Sequence, residues 1–120
     1  MNSISLRDQL ENRLLEYSKN IHDLVKKLPR DKINLEYSDQ LNRSSCSIGA
    51  NYIEANEAES RKDFFHRIKI CRKESKESRY WLNIILYANS GLRNEIQPLI
   101  LESTEYVKLF SATLRSQISK

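Results

Sequence analysis

Apolar residues recur at steps of three and four along most of the chain, the spacing that places side chains on one face of an α-helix. Four such stretches are separated by short polar breaks. Pro29 ends the first, because proline lacks an N–H and disfavours a helical residue before it. The pattern predicts helices over about 5–28, 36–56, 60–89 and 95–118.

The connections between these stretches are short, which favours antiparallel neighbours, and the four-three repeat favours left-handed packing. No segment alternates apolar and polar residues as a strand does. We therefore predict an all-α, antiparallel up-and-down four-helix bundle that forms one domain over residues 1–120. The residues expected in its core include Leu14, Ile21, Ile48, Phe64, Leu82, Val107 and Phe110.

The second stretch is rich in small residues, among them Gly49. Glycine in a helix interior costs about 1 kcal/mol relative to alanine. We interpret this glycine as a point of close approach by a neighbouring helix. Gly91 follows the third stretch, where a C-capping glycine is expected.

Several absences in the sequence bear on cellular location. No apolar run approaches the roughly 18 residues needed to cross a bilayer. The first residues have neither the basic nor the apolar region of a signal peptide. Cys46 and Cys71 lack metal-ligand spacing and are expected as free thiols. We expect a cytoplasmic protein with no membrane partner.

The third helix concentrates the positive charge. Residues 61–79 contain eight basic and three acidic residues, a net charge of +5, whereas the whole chain carries +4. On a helical wheel the bases other than Arg67 share one arc and the acids share another. This arc is either a solvated face or a binding strip for phosphates or an acidic partner. It contains Arg61, Lys62, Lys69, Arg72, Lys73, Lys76 and Arg79.

If nucleic acid binds here, we expect contacts to phosphates and weak sequence dependence, since no aromatic-rich stacking platform is evident. Arg61, Arg72 and Arg79 lie nearer the core direction than the lysines. A neighbouring helix could cover them, and they would then pair with Glu54 or Glu57 of helix two. The lysines would remain for a ligand.

Four apolar residues of the third helix project away from its core stripe and suggest a protein interface. They are Ile70, Trp81, Ile84 and Ala88. Cover by a helix-four tail or a loop is the alternative.

Residues with catalytic potential are few. We interpret a set of polar residues as a structural network between helices rather than acid–base groups. Its members are Arg43, Asn51, Glu54, Glu74 and Glu77. His66 follows Asp63 by three residues, but di-iron bundles need this pattern twice. Phosphate-loop, dinucleotide and nucleophile-elbow motifs are missing. We expect no catalytic, cofactor-binding or metal site.

Two segments resemble the signature of the four-helix-bundle proteins encoded in intervening sequences of bacterial 23S ribosomal RNA genes. One spans residues 41–55, and the other includes Ser60, Lys62–Phe64, residues 73–78 and Tyr80–Leu82. The opening of helix one lacks the Trp and Lys residues common in the family. Glu54-Ala55 stands where many members have Glu-Gly.

The resemblance implies a homopentamer with no known catalytic activity. A related branch, the accessory protein of diversity-generating retroelements, is a basic pentamer that binds a reverse transcriptase and nucleic acid. Two functions remain open: a non-enzymatic RNA- or DNA-binding assembly, and a protein-binding accessory factor with no direct nucleic-acid role. An enzyme would need convergent titratable groups that the sequence does not predict.

Overall fold

The computed structural model describes residues 4–118 and contains four long helices. They are α1 (Leu6–Lys27), α2 (Lys32–Asn56), α3 (Arg61–Ala88) and α4 (Arg93–Ile118), with a 3₁₀ turn at Ser90–Leu92 before α4. No strand occurs within the described range. The predicted all-α four-helix bundle is confirmed. The single domain over 1–120 and the left-handed packing stay predictions, and residues 1–3 and 119–120 lie outside the description.

Cross-helix contacts run in opposite order along α2 and α3, so these two helices are antiparallel, and the contacts of the other helices are consistent with the predicted antiparallel bundle. The end of α2 meets the start of α1, where the Asn56 side-chain amide donates to Glu11 Oε2 at 2.7 Å. Along α2 and α3 the paired residues are Asn34 with Asn89, Arg43 with Glu74, and Asn51 with Arg67.

Side-chain caps fix where three helices begin. Ser5, Asp31 and Ser60 each accept a hydrogen bond from the backbone N–H three residues later, which satisfies a donor that the first turn leaves free. The Asp31 cap makes α2 begin four residues before the predicted position 36. At the end of α3 the cap is Asn89. Gly91 lies in the 3₁₀ turn without a positive φ, so the prediction of a C-capping glycine is wrong.

The core contains five of the seven residues predicted to be buried, whereas Phe64 and Val107 are only half-buried. Their chain neighbours Phe65 and Tyr106 are buried instead. Adjacent helix residues are about 100° apart, so both flank the same stripe and the position of the next helix decides which is covered. Tyr106 packs edge-on against Tyr17 of α1, with ring centroids 5.3 Å apart.

Small polar residues line the contact between α2 and α3. Ser44, Ser75 and Ser78 are fully buried. The Ser78 hydroxyl donates a hydrogen bond to Ser44 Oγ at 3.0 Å. Ser75 Oγ donates to the Cys71 carbonyl at 2.8 Å. Because hydroxyls reach a partner within the interface, the helices pack closely without leaving these polar atoms unsatisfied.

Gly49 faces α1, as expected for a residue where two helices approach closely. The space beside it is nevertheless large enough for a methyl group. A Cβ built on Gly49 would lie 3.5 Å from Leu14 Cβ, which is ordinary van der Waals contact. The backbone there is helical with no positive φ. Alanine therefore fits.

We expect Gly49→Ala to raise the free energy of unfolding by about 0.5–1 kcal/mol, because alanine loses less backbone entropy in a helix. Urea denaturation monitored by circular dichroism measures the change. Gly91→Ala is the matched control, since nothing lies within 4 Å of its added Cβ. Destabilisation by Gly49→Ala alone would contradict the conclusion that the space between α2 and α1 accommodates the added methyl group.

Candidate nucleic-acid interface

An exposed stripe runs along the face of α3 opposite its buried residues. Its members follow one another at alternating steps of four and three, and all are exposed. They are Lys62, His66, Lys69, Lys73, Lys76, Tyr80, Asn83 and Tyr87. At about 1.5 Å per residue the stripe is about 37 Å long. We call it the outer stripe; it contains no carboxylate, and its positive residues precede its aromatic ones.

The four lysines of the outer stripe have no salt bridge within residues 4–118. Lys62 and Lys69 border a shallow groove that also includes Phe65, His66 and Gln117, where α3 passes the end of α4. The ammonium groups are therefore free to contact an anion, and exposed lysines hold phosphates as point charges.

The three arginines of the predicted arc differ from the lysines. The Arg79 guanidinium donates to Thr104 Oγ1 of α4 at 3.3 Å, and Arg72, seven residues earlier on the same face, is half-buried. The Arg61 guanidinium lies over the Phe65 ring, 4.8 Å from its centroid. The Arg79 contact places its face of α3 on the α4 side, and the spacing of seven and eleven residues puts Arg72 and Arg61 on that same face.

The predicted salt bridges from these arginines to Glu54 or Glu57 are wrong within the described chain. The physical reason is geometric: α2 and α4 pack on opposite flanks of α3, and the arginines point to the α4 flank. The prediction that a neighbouring helix covers part of the arc agrees with the half-burial of Arg79 and Arg72. The four lysines form the exposed part of the arc.

The acidic residues of α3 face α2. Arg43 of α2 lies 3.4 Å from Glu74 and also pairs with Glu77. Glu74 is only 6% exposed, so the guanidinium supplies the counter-charge that a buried carboxylate requires. Glu77 additionally accepts a hydrogen bond from Trp81 Nε1 at 3.2 Å. These three charged residues of the predicted polar network form one cluster.

The other two predicted members lie apart from this cluster. Asn51 Oδ1 accepts from Arg67 Nη1 at 3.0 Å and forms a separate α2–α3 link. Glu54 is exposed, and no hydrogen bond or salt bridge joins it to the cluster within the described residues. The contacts between helices thus involve fewer of the predicted members, with Arg67 as an unexpected partner.

The predicted interface residues lie on the α2 flank and are partly covered there. Ile70, Trp81 and Ile84 are half-buried, whereas Ala88 is exposed. The Trp81 ring packs near Tyr37 of α2, with centroids 6.1 Å apart. For Trp81 the cover comes from α2 rather than from a helix-four tail or a loop, and it is incomplete.

Candidate reactive groups are engaged in packing. Burial raises the pKa of Cys71 to about 12, which keeps its thiol protonated. A groove of about 550 Å³ near Ala88 contains Asp31 and Lys32, but Asp31 already caps α2. No cluster of three metal-ligating side chains occurs within the described part of the chain.

Two tyrosines of the outer stripe are absent from the predicted binding residues. Tyr80 is 58% exposed and Tyr87 is 88% exposed. The signal was present in the sequence, since both continue the four-three spacing of the lysines.

The structure also places Arg13 of α1 beside Glu105 and over the Tyr106 ring, 4.9 Å from its centroid. The hydrophobic pattern contained no indication of that pairing.

The fold and this surface define a class: an all-α bundle with a basic, solvent-facing helix and no described helix long and apolar enough to span a membrane. Over residues 9–112 the chain matches the family described as 23S rRNA-intervening sequence protein. The protein belongs to that family.

A solved relative supports this assignment. It is a protein of unknown function from the S23 ribosomal protein family of Bacteroides thetaiotaomicron, and its crystal structure was determined at 1.70 Å resolution. The two chains are 34% identical with a TM-score of 0.78, over 87% of this chain and 96% of the relative. No curated protein matches this chain.

We expect acid to weaken the Arg43–Glu77–Trp81 contacts. Desolvation opposes ionisation of Glu77, but hydrogen bonds from Trp81 and Arg43 outweigh it and hold the pKa of Glu77 below its ordinary value. A depressed folded-state pKa stabilises the fold above the unfolded-state pKa of about 4.3, and this contribution is lost as pH falls through the folded-state pKa.

The measurement compares thermal unfolding of the wild type and Glu77→Gln between pH 7 and pH 3. The wild type should be more stable at neutral pH, and the gap should close in acid. Glu54→Gln is the matched control, because Glu54 is exposed outside the cluster. A gap that is independent of pH would contradict the argument.

Proposed function

We propose that this protein is a non-enzymatic, cytoplasmic, oligomeric bundle that binds RNA or DNA through the lysines of the outer stripe. The observation that carries the proposal is the alignment of Lys62, Lys69, Lys73 and Lys76 on one exposed face with no carboxylate partner in the described chain. Lysines in this arrangement neutralise backbone phosphates and release counterions, which supplies affinity without sequence recognition.

Separation of the charges on α3 supports this function. Its buried Glu74 and half-buried Glu77 are paired with Arg43, whereas the lysines are unpaired and directed to solvent. The helix therefore presents mainly its positive charge outward, although the whole chain carries only +4. Clefts and faces with one sign of charge attract polyanions and raise their association rates.

Assembly would multiply this charge. Five copies of a chain with a net charge of +4 would carry about +20. The half-covered patch of Ile70, Trp81 and Ile84, with exposed Ala88, supplies an apolar surface for self-association. The number five rests on the family resemblance, and the patch supports only association.

The non-enzymatic part of the proposal rests on the use of the titratable groups. Glu74 and Glu77 pair with Arg43, Asp31 caps a helix, and the Cys71 thiol is buried. A general acid or base must reach a substrate proton, and groups held in these contacts do not.

We expect Lys62/Lys69/Lys73/Lys76→Gln to weaken binding of RNA and DNA and to flatten its salt dependence. For every phosphate that the variant no longer neutralises, the slope of log K against log salt should fall by about 0.7 for single strands and about 0.9 for duplex DNA. Fluorescence anisotropy between 50 mM and 200 mM salt provides the measurement.

The matched control is Lys19/Lys26/Lys27/Lys32→Gln, which removes the same charge from exposed lysines on α1 and α2. Equal losses of affinity in both variants would mean that net charge alone drives binding. Unchanged affinity and slope in the α3 variant would leave the protein-binding accessory function as the better proposal.

We expect Ala88→Arg to weaken self-association, because it places a charge in the exposed part of the patch. Arginine in the last turn of a helix interacts favourably with the helix dipole, so the fold should not suffer. Light scattering coupled to size exclusion measures the mass. Ala112→Arg adds the same exposed charge to α4 as a control. A wild-type monomer at micromolar concentration would refute the assembly proposal.

A further inference from the structure

We propose that the ligand of the outer stripe is single-stranded nucleic acid, with phosphates on the lysines and bases stacked on Tyr80 and Tyr87. The inference rests on the proposed nucleic-acid function and adds the strandedness of the ligand and two residues that contact its bases. It replaces the expectation that only phosphates are bound.

The positions of the two tyrosines suit consecutive contacts along a strand. They are seven residues apart, which puts them about 10 Å apart along the axis and within about 20° of the same direction. Lys76 and Lys73 lie one and two turns before Tyr80 on the same face. A strand following the lysines along α3 would therefore reach both aromatic rings without changing direction.

The exposure of the rings calls for an explanation. Large aromatic side chains ordinarily bury much of their surface, yet Tyr80 is 58% exposed and Tyr87 is 88% exposed. The Tyr80 ring is held edge-to-face by Trp81, with centroids 5.1 Å apart and planes at 81°. One contact restrains this ring while most of its surface stays open to a planar ligand.

The alternative occupant of such a stripe is a second copy of this chain. Charge argues against it, because two copies of the outer stripe would bring eight lysines into one interface, and the stripe contains no carboxylate to neutralise them. A nucleic acid complements both halves of the stripe, since it offers phosphates to the lysines and π-faces to the tyrosines.

A duplex complements only the lysine half of the outer stripe. Its bases are already stacked inside the helix, so a convex row of side chains reaches the phosphates and not the base faces. Unpaired bases in a single strand are free to stack on aromatic side chains, and every base offers a suitable face. The sequence preference should consequently be weak.

The experiment measures binding of a 12-nucleotide oligo-uridine, a 12-nucleotide oligo-thymidine and a 12-base-pair DNA duplex. Tyr80→Ala/Tyr87→Ala should weaken single-strand binding by about fivefold or more per tyrosine, the lower limit of base–aromatic stacking. Duplex binding should be unchanged. Tyr80→Phe/Tyr87→Phe keeps the rings and should restore single-strand affinity to within about twofold.

Trp81 provides a second readout because it is the only tryptophan and touches Tyr80. Single strands should quench its emission in the wild type and in the Phe variant, and the duplex should not. Comparing the affinities for oligo-uridine and oligo-thymidine shows whether the protein prefers RNA or DNA.

The outcomes separate the two proposals. If the Ala variant binds single strands as tightly as the wild type while the lysine variant does not, stacking is refuted and the proposed function stands. Equal weakening of duplex and single-strand binding also refutes stacking. If the wild type binds none of the three probes, the proposed function itself fails.

Discussion

The close packing of α2 on α3 through small polar side chains is the interaction on which the rest of the bundle depends. Ser44 and Ser78 meet at 3.0 Å across the interface, and the Cys71 thiol donates to the Ile48 carbonyl at 3.5 Å. Both hydrogen bonds require the helices to approach closely, because short side chains have little reach. With α3 held between α2 and α4, the side of α3 that faces neither helix is directed to solvent, and the composition of that side determines what the protein presents.

The same packing separates the charges of α3. Glu74 is buried where α2 crosses, and Arg43 supplies a guanidinium that reaches both Glu74 and Glu77. Removing a partner from such a cluster leaves a buried charge without compensation, so other alignments of α2 and α3 that separate Arg43 from Glu74 are disfavoured. The acids thus help to hold the helices in register, and the lysines on the far side are left out of the structural contacts. One helix stabilises the bundle with one sign of charge and exposes the other.

The helices and most of the core could be predicted from the sequence, because a four-three spacing and a capping serine are local signals. Phe64 and Phe65 show where local signals end: both flank the core stripe, and only the position of α4 decides that Phe65 is buried. The arginine partners could not be predicted for a similar reason, since long side chains take partners from whichever helix lies beside them. Asp31 is a local signal too, because aspartate is a favoured N-cap residue, and it accounts for the earlier start of α2.

Lysines in the outer stripe are a cost to the isolated helix. Lys69 and Lys73, and Lys73 and Lys76, are like charges at helical spacings that destabilise by about 0.2–0.5 kcal/mol per pair. Glu77 relieves part of this through its attraction to Lys73. The core does not require these residues, and the fold does not determine function. The proposed polyanionic ligand would offset this repulsion, because its phosphates would supply the negative charge that the outer stripe lacks. Solubility alone would be served by charges of both signs.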